Sequence, residues 1–434
     1  MFYFSQFLMW GGWLLLPIIL EIIKNIVLYV KLIKKSYTPA HPELDHKPLV
    51  SILIPVYNSS KTLKLCLDSL LTQTYGLDNI EVFLLNNGGN DGSYEIFSEF
   101  QAKHSQIRLW WLDTGRGKAA ALNKGLFNCS GKYIVNIDSD GWLDRNAITN
   151  IVKKFEFDNS VSALTGVVLT DPVQIDQTKN WILRGFQKAE FIEYTEAFLI
   201  GRNHQSEQNN LYTLAGAFSA FKKEAILKTQ LYNSQTLGED THMTLQIKKF
   251  VGGKIILCED AFLFVDPIES FDKMYTQRQR WQRSTVEIAL MFKDFHTGKP
   301  FDLFKKVHMR ILILDHTIAF INLFWTFSFI YFYFVGYPLV YFIYSHVILY
   351  GVYVLNSVLY NRVSLKYLKT IPNARNYLKK LIFMSFYMVP YRTLIYLIRL
   401  AGLINSTGKE ATWTTTPLSE EIKSLFHLRK KTSE

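Results

Sequence analysis

Cysteine is nearly absent, at three in 434 residues. Cys66, Cys129 and Cys258 are scattered, with neither metal-ligand spacing nor a disulfide framework. Each reads as a small buried apolar residue in a reducing compartment. Nucleotide fingerprints of the common kinds are missing too. No G-x-G-x-x-G follows the first strand, and Gly117-Lys118 lacks both the leading glycine and the following Ser or Thr of a P-loop. The N-terminal apolar run has no basic n-region and no small-residue cleavage site, which favours a retained membrane helix over a cleaved signal peptide. The net charge of +11 is not a nucleic-acid signature, because no run of basic residues with interleaved aromatics forms a patch in the soluble part. The basic residues flank apolar segments instead: Lys31, Lys34 and Lys35, then Lys305, Lys306 and Arg310, then Lys366, Lys369, Lys379 and Lys380. That is the distribution of cytoplasmic loops facing anionic headgroups, so membrane lipids are expected partners and nucleic acid is not.

What the chain has in abundance is apolar and aromatic residues, 49% and 15%. They concentrate in residues 1–33 and 311–404, while residues 40–300 have the balance of a soluble protein. The expected plan is an N-terminal transmembrane helix in 1–35 and a proline-containing linker over 36–48. A cytoplasmic α/β domain occupies 49–270, with interfacial helices over 271–310, C-terminal membrane segments over 311–404 and a polar tail over 405–434. Within the membrane part, 7–30, 317–336 and 338–360 are apolar enough to cross. Residues 381–404 carry Pro390, Arg392 and Arg399, and read either as a further span or as a re-entrant or surface segment.

From Leu49 strands and helices alternate. Strands are expected at 49–56, 80–85, 108–112, 133–137 and 161–170, and helices at 60–73, 93–103, 117–128, 181–200, 241–250 and 272–290. Residues 201–210 read as a polar loop. Repeated βαβ units imply a mostly parallel sheet with right-handed crossovers. Ligands of such sheets lie beyond the carboxyl ends of the strands, so Tyr57–Ser59, Asn86–Asp91 and Asp138–Gly141 should share a crevice.

The run Ile134–Ile137 ends in Asp138-Ser139-Asp140-Gly141. In extended chain, residues two apart point the same way, and two adjacent carboxylates call for a cation between them. The plain alternative is an Asx turn closing the strand. Lys118 could reach a phosphate as a point charge or stand solvated in the first turn of a helix. The small residues around Gly216 permit close backbone approach. Glu239-Asp240 opens a helix, where a carboxylate usually caps. Gln277, Arg280 and Trp281 share a helix face that suits either a sugar and a phosphate or a membrane interface.

In order and spacing, five stretches resemble the membrane-embedded family 2 glycosyltransferases, the cellulose, hyaluronan and poly-N-acetylglucosamine synthases. They are Ser51–Asn58, Gly117–Asn123, Asp138-Ser139-Asp140, Gly238-Glu239-Asp240 and Gln277–Trp281. The chain looks closest to the branch that accompanies Gram-positive exosortase G. The resemblance implies a GT-A-type nucleotide-sugar-binding domain with a mixed, mostly parallel sheet, flanked by transmembrane helices. It implies Mg²⁺ or Mn²⁺ on Asp138 and Asp140, and a nucleotide-sugar donor held by Tyr57, Asn87, Lys118, Asp138, Gln277 and Arg280. Asp240 would be the general base with Glu239 in support, and Trp281 and Gly216 would line the acceptor site. The acceptor would be a glycan or lipid-linked sugar, with accessory export proteins as further partners. The chain departs from the family at Asn86-Asn87-Gly88-Gly89, where Asp-Asp-Gly-Ser is usual, and at Ser59-Ser60, where an acidic residue is usual. The expected activity is metal-dependent sugar transfer at the cell membrane, processive or by single additions. A catalytically silent scaffold on the same fold is the competing reading.

Overall fold

The structure is a computed structural model that describes residues 2–34, 43–292, 323–406, 417–421 and 423. The linker up to residue 42, the stretch 293–310, the first residues of the 317–336 span and the rest of the tail lie outside the described residues. By internal packing the chain forms two units. One comprises Tyr37–Thr178 and Glu193–Pro267; the other comprises Met1–Ser36, Lys179–Ile192 and Ile268–Glu434.

The first unit is built on one eight-stranded sheet. Its strands are β1 (Val50–Val56), β2 (Ile80–Asn86), β3 (Arg108–Asp113), β4 (Tyr133–Ile137), β5 (Gly141–Leu143), β6 (Val161–Thr170), β7 (Phe218–Lys222) and β8 (Lys254–Val265), in the order β3-β2-β1-β4-β7-β6-β8-β5. β1 and β4 are buried along their whole length, which is why they read as nearly continuous apolar runs, interrupted only by Ser51 and Asn136, rather than alternating ones. β3-β2-β1-β4 are parallel, as is β6 with β8; β7 runs antiparallel to β4 and β6, and β5 antiparallel to β8. The chain winds from β1 out to β2 and β3 and then returns to place β4 on the other side of β1. That reversal opens a crevice outside the carboxyl ends of β1 and β4.

Three strands escape a reading of the sequence pattern. β5 is three residues long. β7 occupies the small-residue stretch, and β8 carries Glu259 and Asp260 in its middle. Glu259 is accommodated because Lys154, on the helix Ala147–Phe157, pairs with it at 3.2 Å. The expected loop at 201–210 is corrected. The helix Trp181–Tyr194 runs on through a widened π turn, Thr195–Gly201, into the helix Arg202–Glu207. The Arg202 guanidinium lies 4.5 Å from the Phe198 ring centroid, so the polar residue turns inward and holds the helix on.

The second unit is helical. Phe4–Lys34 and Leu339–Thr370 are long and apolar enough to cross a membrane, and Pro372–Lys380 with Met384–Asn405, bent by 91°, make a third if counted as one span. Aromatic and amide contacts join the first two: Trp10 stacks on Tyr341 at 4.8 Å, and Tyr360 donates to Asn25, which donates to Glu21. Such polar contacts hold apolar helices where the hydrophobic effect cannot. The helix Phe271–Met291 also belongs to this unit.

Candidate active site

The two aspartates do not continue β4 in extended form. The Gly141 N–H donates to the Asp138 carbonyl at 3.1 Å, so Asp138-Ser139-Asp140-Gly141 is a tight turn. The geometry of residues two apart on a strand therefore does not apply, yet the two carboxylates stay close. Burial and then the neighbouring Asp138 push the Asp140 carboxyl up to about 6, against the pull of Lys118. The turn is a glycine position, because a Cβ on Gly141 would lie 2.9 Å from the Leu263 side chain. Ser59 Oγ meets Ser139 Oγ at 2.7 Å. A hydroxyl thus links the exit of β1 to the aspartate turn where an acidic residue was expected.

Lys118 is the hub. Its ammonium lies 2.5 Å from Asp138 Oδ1, 3.2 Å from the Gly216 carbonyl and 3.6 Å from Glu239 Oε1. Burial pulls its pKa down, but Asp138 and Glu239 outweigh burial and hold it above the ordinary lysine value. The solvated-lysine alternative is thereby set aside.

Asp240 is the second residue of the helix Glu239–Gln246, and its N-cap is Gly238, which carries no side-chain cap. One Asp240 oxygen accepts the Thr241 N–H at 2.6 Å. The other accepts the Gly216 N–H at 3.1 Å. The carboxylate is therefore tied across the fold as well as to its own helix. A Cβ on Gly216 would approach Asp240 Oδ2 to 3.2 Å, which explains the need for small residues there. Glu239 is buried, and burial pushes its carboxyl up to about 7, opposed by Lys118 and reinforced by Asp240.

The structure thus brings Lys118, Asp138, Asp140, Gly216, Glu239 and Asp240 together. Tyr57 stands at the exit of β1 and is 55% exposed. The Asn87 side-chain carbonyl accepts the Gly117 N–H, one residue before Lys118. Gln277, Arg280 and Trp281 lie on the helix Phe271–Met291 of the other unit. There the neighbouring Arg278, which a face-by-face reading passes over, donates to Gln277 Oε1 at 2.9 Å and covers the Trp281 ring at 4.4 Å. Its three-residue offset from Trp281 was the available signal.

Among the described residues no three His, Cys, Asp or Glu gather into a metal cage. Asp138 and Asp140 offer two neighbouring carboxylates, of which Lys118 pairs with Asp138. This fits a hard divalent cation that takes its remaining ligands from a diphosphate.

Residues 51–229 match the model of glycosyl transferase family 2. Over those residues the chain resembles a family 2 glycosyltransferase domain. Over 267 residues it is 28% identical to a poly-beta-1,6-N-acetyl-D-glucosamine synthase of Staphylococcus epidermidis, covering 61% of this chain and 60% of that protein. Glycosyltransferase GlyA of Streptococcus pneumoniae is 24% identical over 240 residues, 55% of this chain and 33% of that protein. The chain thus spans a third to three fifths of these relatives. A Pyrobaculum calidifontis mannosyltransferase, solved in complex with GDP-Man and Mn²⁺, has the same fold, with a TM-score of 0.59 at 17% identity over 93% of this chain and all of that one. The glycosyltransferase domain is of the GT-A type, with the mixed sheet described above and apolar helices flanking it in sequence.

Proposed function

We propose that this protein is an inverting, metal-dependent membrane glycosyltransferase. It moves a sugar from a nucleoside-diphosphate sugar, UDP-linked in the first instance, to a hydroxyl of a growing glycan. The observation that carries the reading is the Asp240 carboxylate, aimed by the Gly216 N–H, in the same crevice as the Asp138–Lys118 pair. The acceptor hydroxyl attacks the anomeric carbon, a new C–O bond forms, and the bond to the diphosphate breaks. Asp240 takes the hydroxyl proton as general base, a role worth ~10²–10⁴-fold in rate. Attack opposite the leaving group inverts the anomeric centre. Lys118 sits where negative charge would develop. Mg²⁺ or Mn²⁺ on Asp138 and Asp140 would supply further positive charge to the leaving diphosphate. Glu239 keeps Lys118 in place, Tyr57 and Asn87 attend the nucleotide, and Gly216 the acceptor; for Gln277, Arg280 and Trp281 the family resemblance alone supports roles toward the diphosphate and the acceptor.

In this reading the sheet domain acts on the cytoplasmic side, and the helices Phe4–Lys34 and Leu339–Thr370 cross the membrane. Similarity to a polysaccharide synthase supports a polymer product that is exported as it lengthens. The test is a screen of nucleotide sugars with membranes carrying the protein, reading released nucleoside diphosphate with and without Mn²⁺. Release from none of them contradicts the reading. A product ladder on a gel marks a processive enzyme, and a single band marks one-sugar transfer to a lipid-linked acceptor.

A further inference from the structure

Arg202 is a buried cation that the proposed chemistry has not used. It opens the helix Arg202–Glu207 and is 8% exposed. Its Nη1 donates to Thr165 Oγ1 at 3.2 Å. Thr165 Oγ1 also accepts the Ala215 N–H at 3.0 Å, and the next N–H along the chain, that of Gly216, donates to Asp240 Oδ2 at 3.1 Å. Residues from four separate parts of the chain thus form one hydrogen-bonded line from the guanidinium to the carboxylate.

Charge accounting points the same way. A buried guanidinium is costly without a counter-charge. Burial lowers the Arg202 pKa to about 10, and Asp240 and then Tyr212 act against that fall. Around Asp240 the other charged or titratable groups are Lys118 on the helix Lys118–Asn128, the adjacent Glu239, and Tyr232 in the connection before the helix Glu239–Gln246. Lys118 is in contact with Asp138 and Glu239. Both Lys118 and Arg202 feel the Asp240 charge, Arg202 with Asp240 as its largest counter-charge.

We propose that Arg202 is the positioning residue of Asp240: through Thr165 it fixes the Ala215–Gly216 backbone whose N–H aims the carboxylate. The inference rests on the reading of Asp240 as the base.

The test measures kcat and donor KM of wild type, Arg202→Gln, Arg202→Lys, Thr165→Val and Asp240→Asn in membranes. Arg202→Gln lowers kcat roughly 10- to 100-fold with donor KM nearly unchanged. Arg202→Lys recovers part of kcat, and Thr165→Val lowers kcat with donor KM again nearly unchanged. A wild-type kcat in Arg202→Gln or in Thr165→Val, or a loss that lies in donor KM instead, overturns the proposal. Where Arg202→Gln does not fold, Arg202→Lys and Thr165→Val decide by the same outcomes. Activity retained in Asp240→Asn is a different failure: it removes the base itself, and the positioning role with it.

Discussion

The side-chain carbonyl of Asn87 accepts the backbone N–H of Gly117, so the end of β2 is tied to the residue before Lys118. With one lone pair of its oxygen committed, Asn87 can offer a nucleotide its NH₂ and the second lone pair. Asn87→Ala should loosen this loop and weaken UDP binding about tenfold, the value of one such bond. Asn87→Asp keeps the acceptor for Gly117 and adds a second one facing outward. It should bind UDP, whose ring N–H donates, at least as tightly as wild type. Calorimetry with UDP and GDP checks both.

Gly216→Ala tests the aim of Asp240. The new Cβ would come within 3.2 Å of Asp240 Oδ2, so the carboxylate must shift by a few tenths of an ångström. Turnover should fall about tenfold or more, while the melting temperature and nucleotide affinity stay near wild type. A fall in nucleotide affinity alone would place Gly216 elsewhere in the mechanism.

Lys118→Met removes the cation that touches both Asp138 and Glu239. Stability should drop by roughly 2 kcal/mol, the cost of leaving charged groups unpaired, seen as a lower melting temperature. Added Mn²⁺ with UDP should restore part of it by binding only the folded state.

The pH dependence of stability centres on Glu239. Its folded-state pKa is raised to about 7 from an ordinary 4.5, by burial first. A raised carboxyl stabilises the fold fully below its unfolded value, and that contribution is lost as pH rises through 7. Glu239→Gln cannot ionise. Its melting temperature relative to wild type should therefore be higher at pH 8 than at pH 5. A difference that is flat across this window contradicts the buried, strained carboxyl.

Much of the catalytic sheet is legible in the residues themselves. Tyr133–Ile137 and Val161–Thr170 have the bounds that their β-branched runs imply, because turn residues close both ends. The motifs at Lys118, Asp138 and Asp240 carry their chemistry in residue type. What the pattern hides are features that depend on distant partners. β8 reads poorly because Glu259 interrupts it, and only Lys154 on another element makes that charge tolerable. Arg202 looks like part of a solvated loop until Phe198, Thr165 and Asp240 surround it. For Asp138 and Asp140 the residues offer both an extended pair and a turn, and the Gly141 N–H to the Asp138 carbonyl makes it the turn.

The central claim is that Asp240 is the base of a metal-assisted sugar transfer. Wild type and Asp240→Asn membranes, given the preferred nucleotide sugar and Mn²⁺, put it to the most direct test. The account predicts that the variant binds the nucleotide as wild type does and releases diphosphate at least ~100-fold more slowly. Equal rates from the two proteins would contradict it.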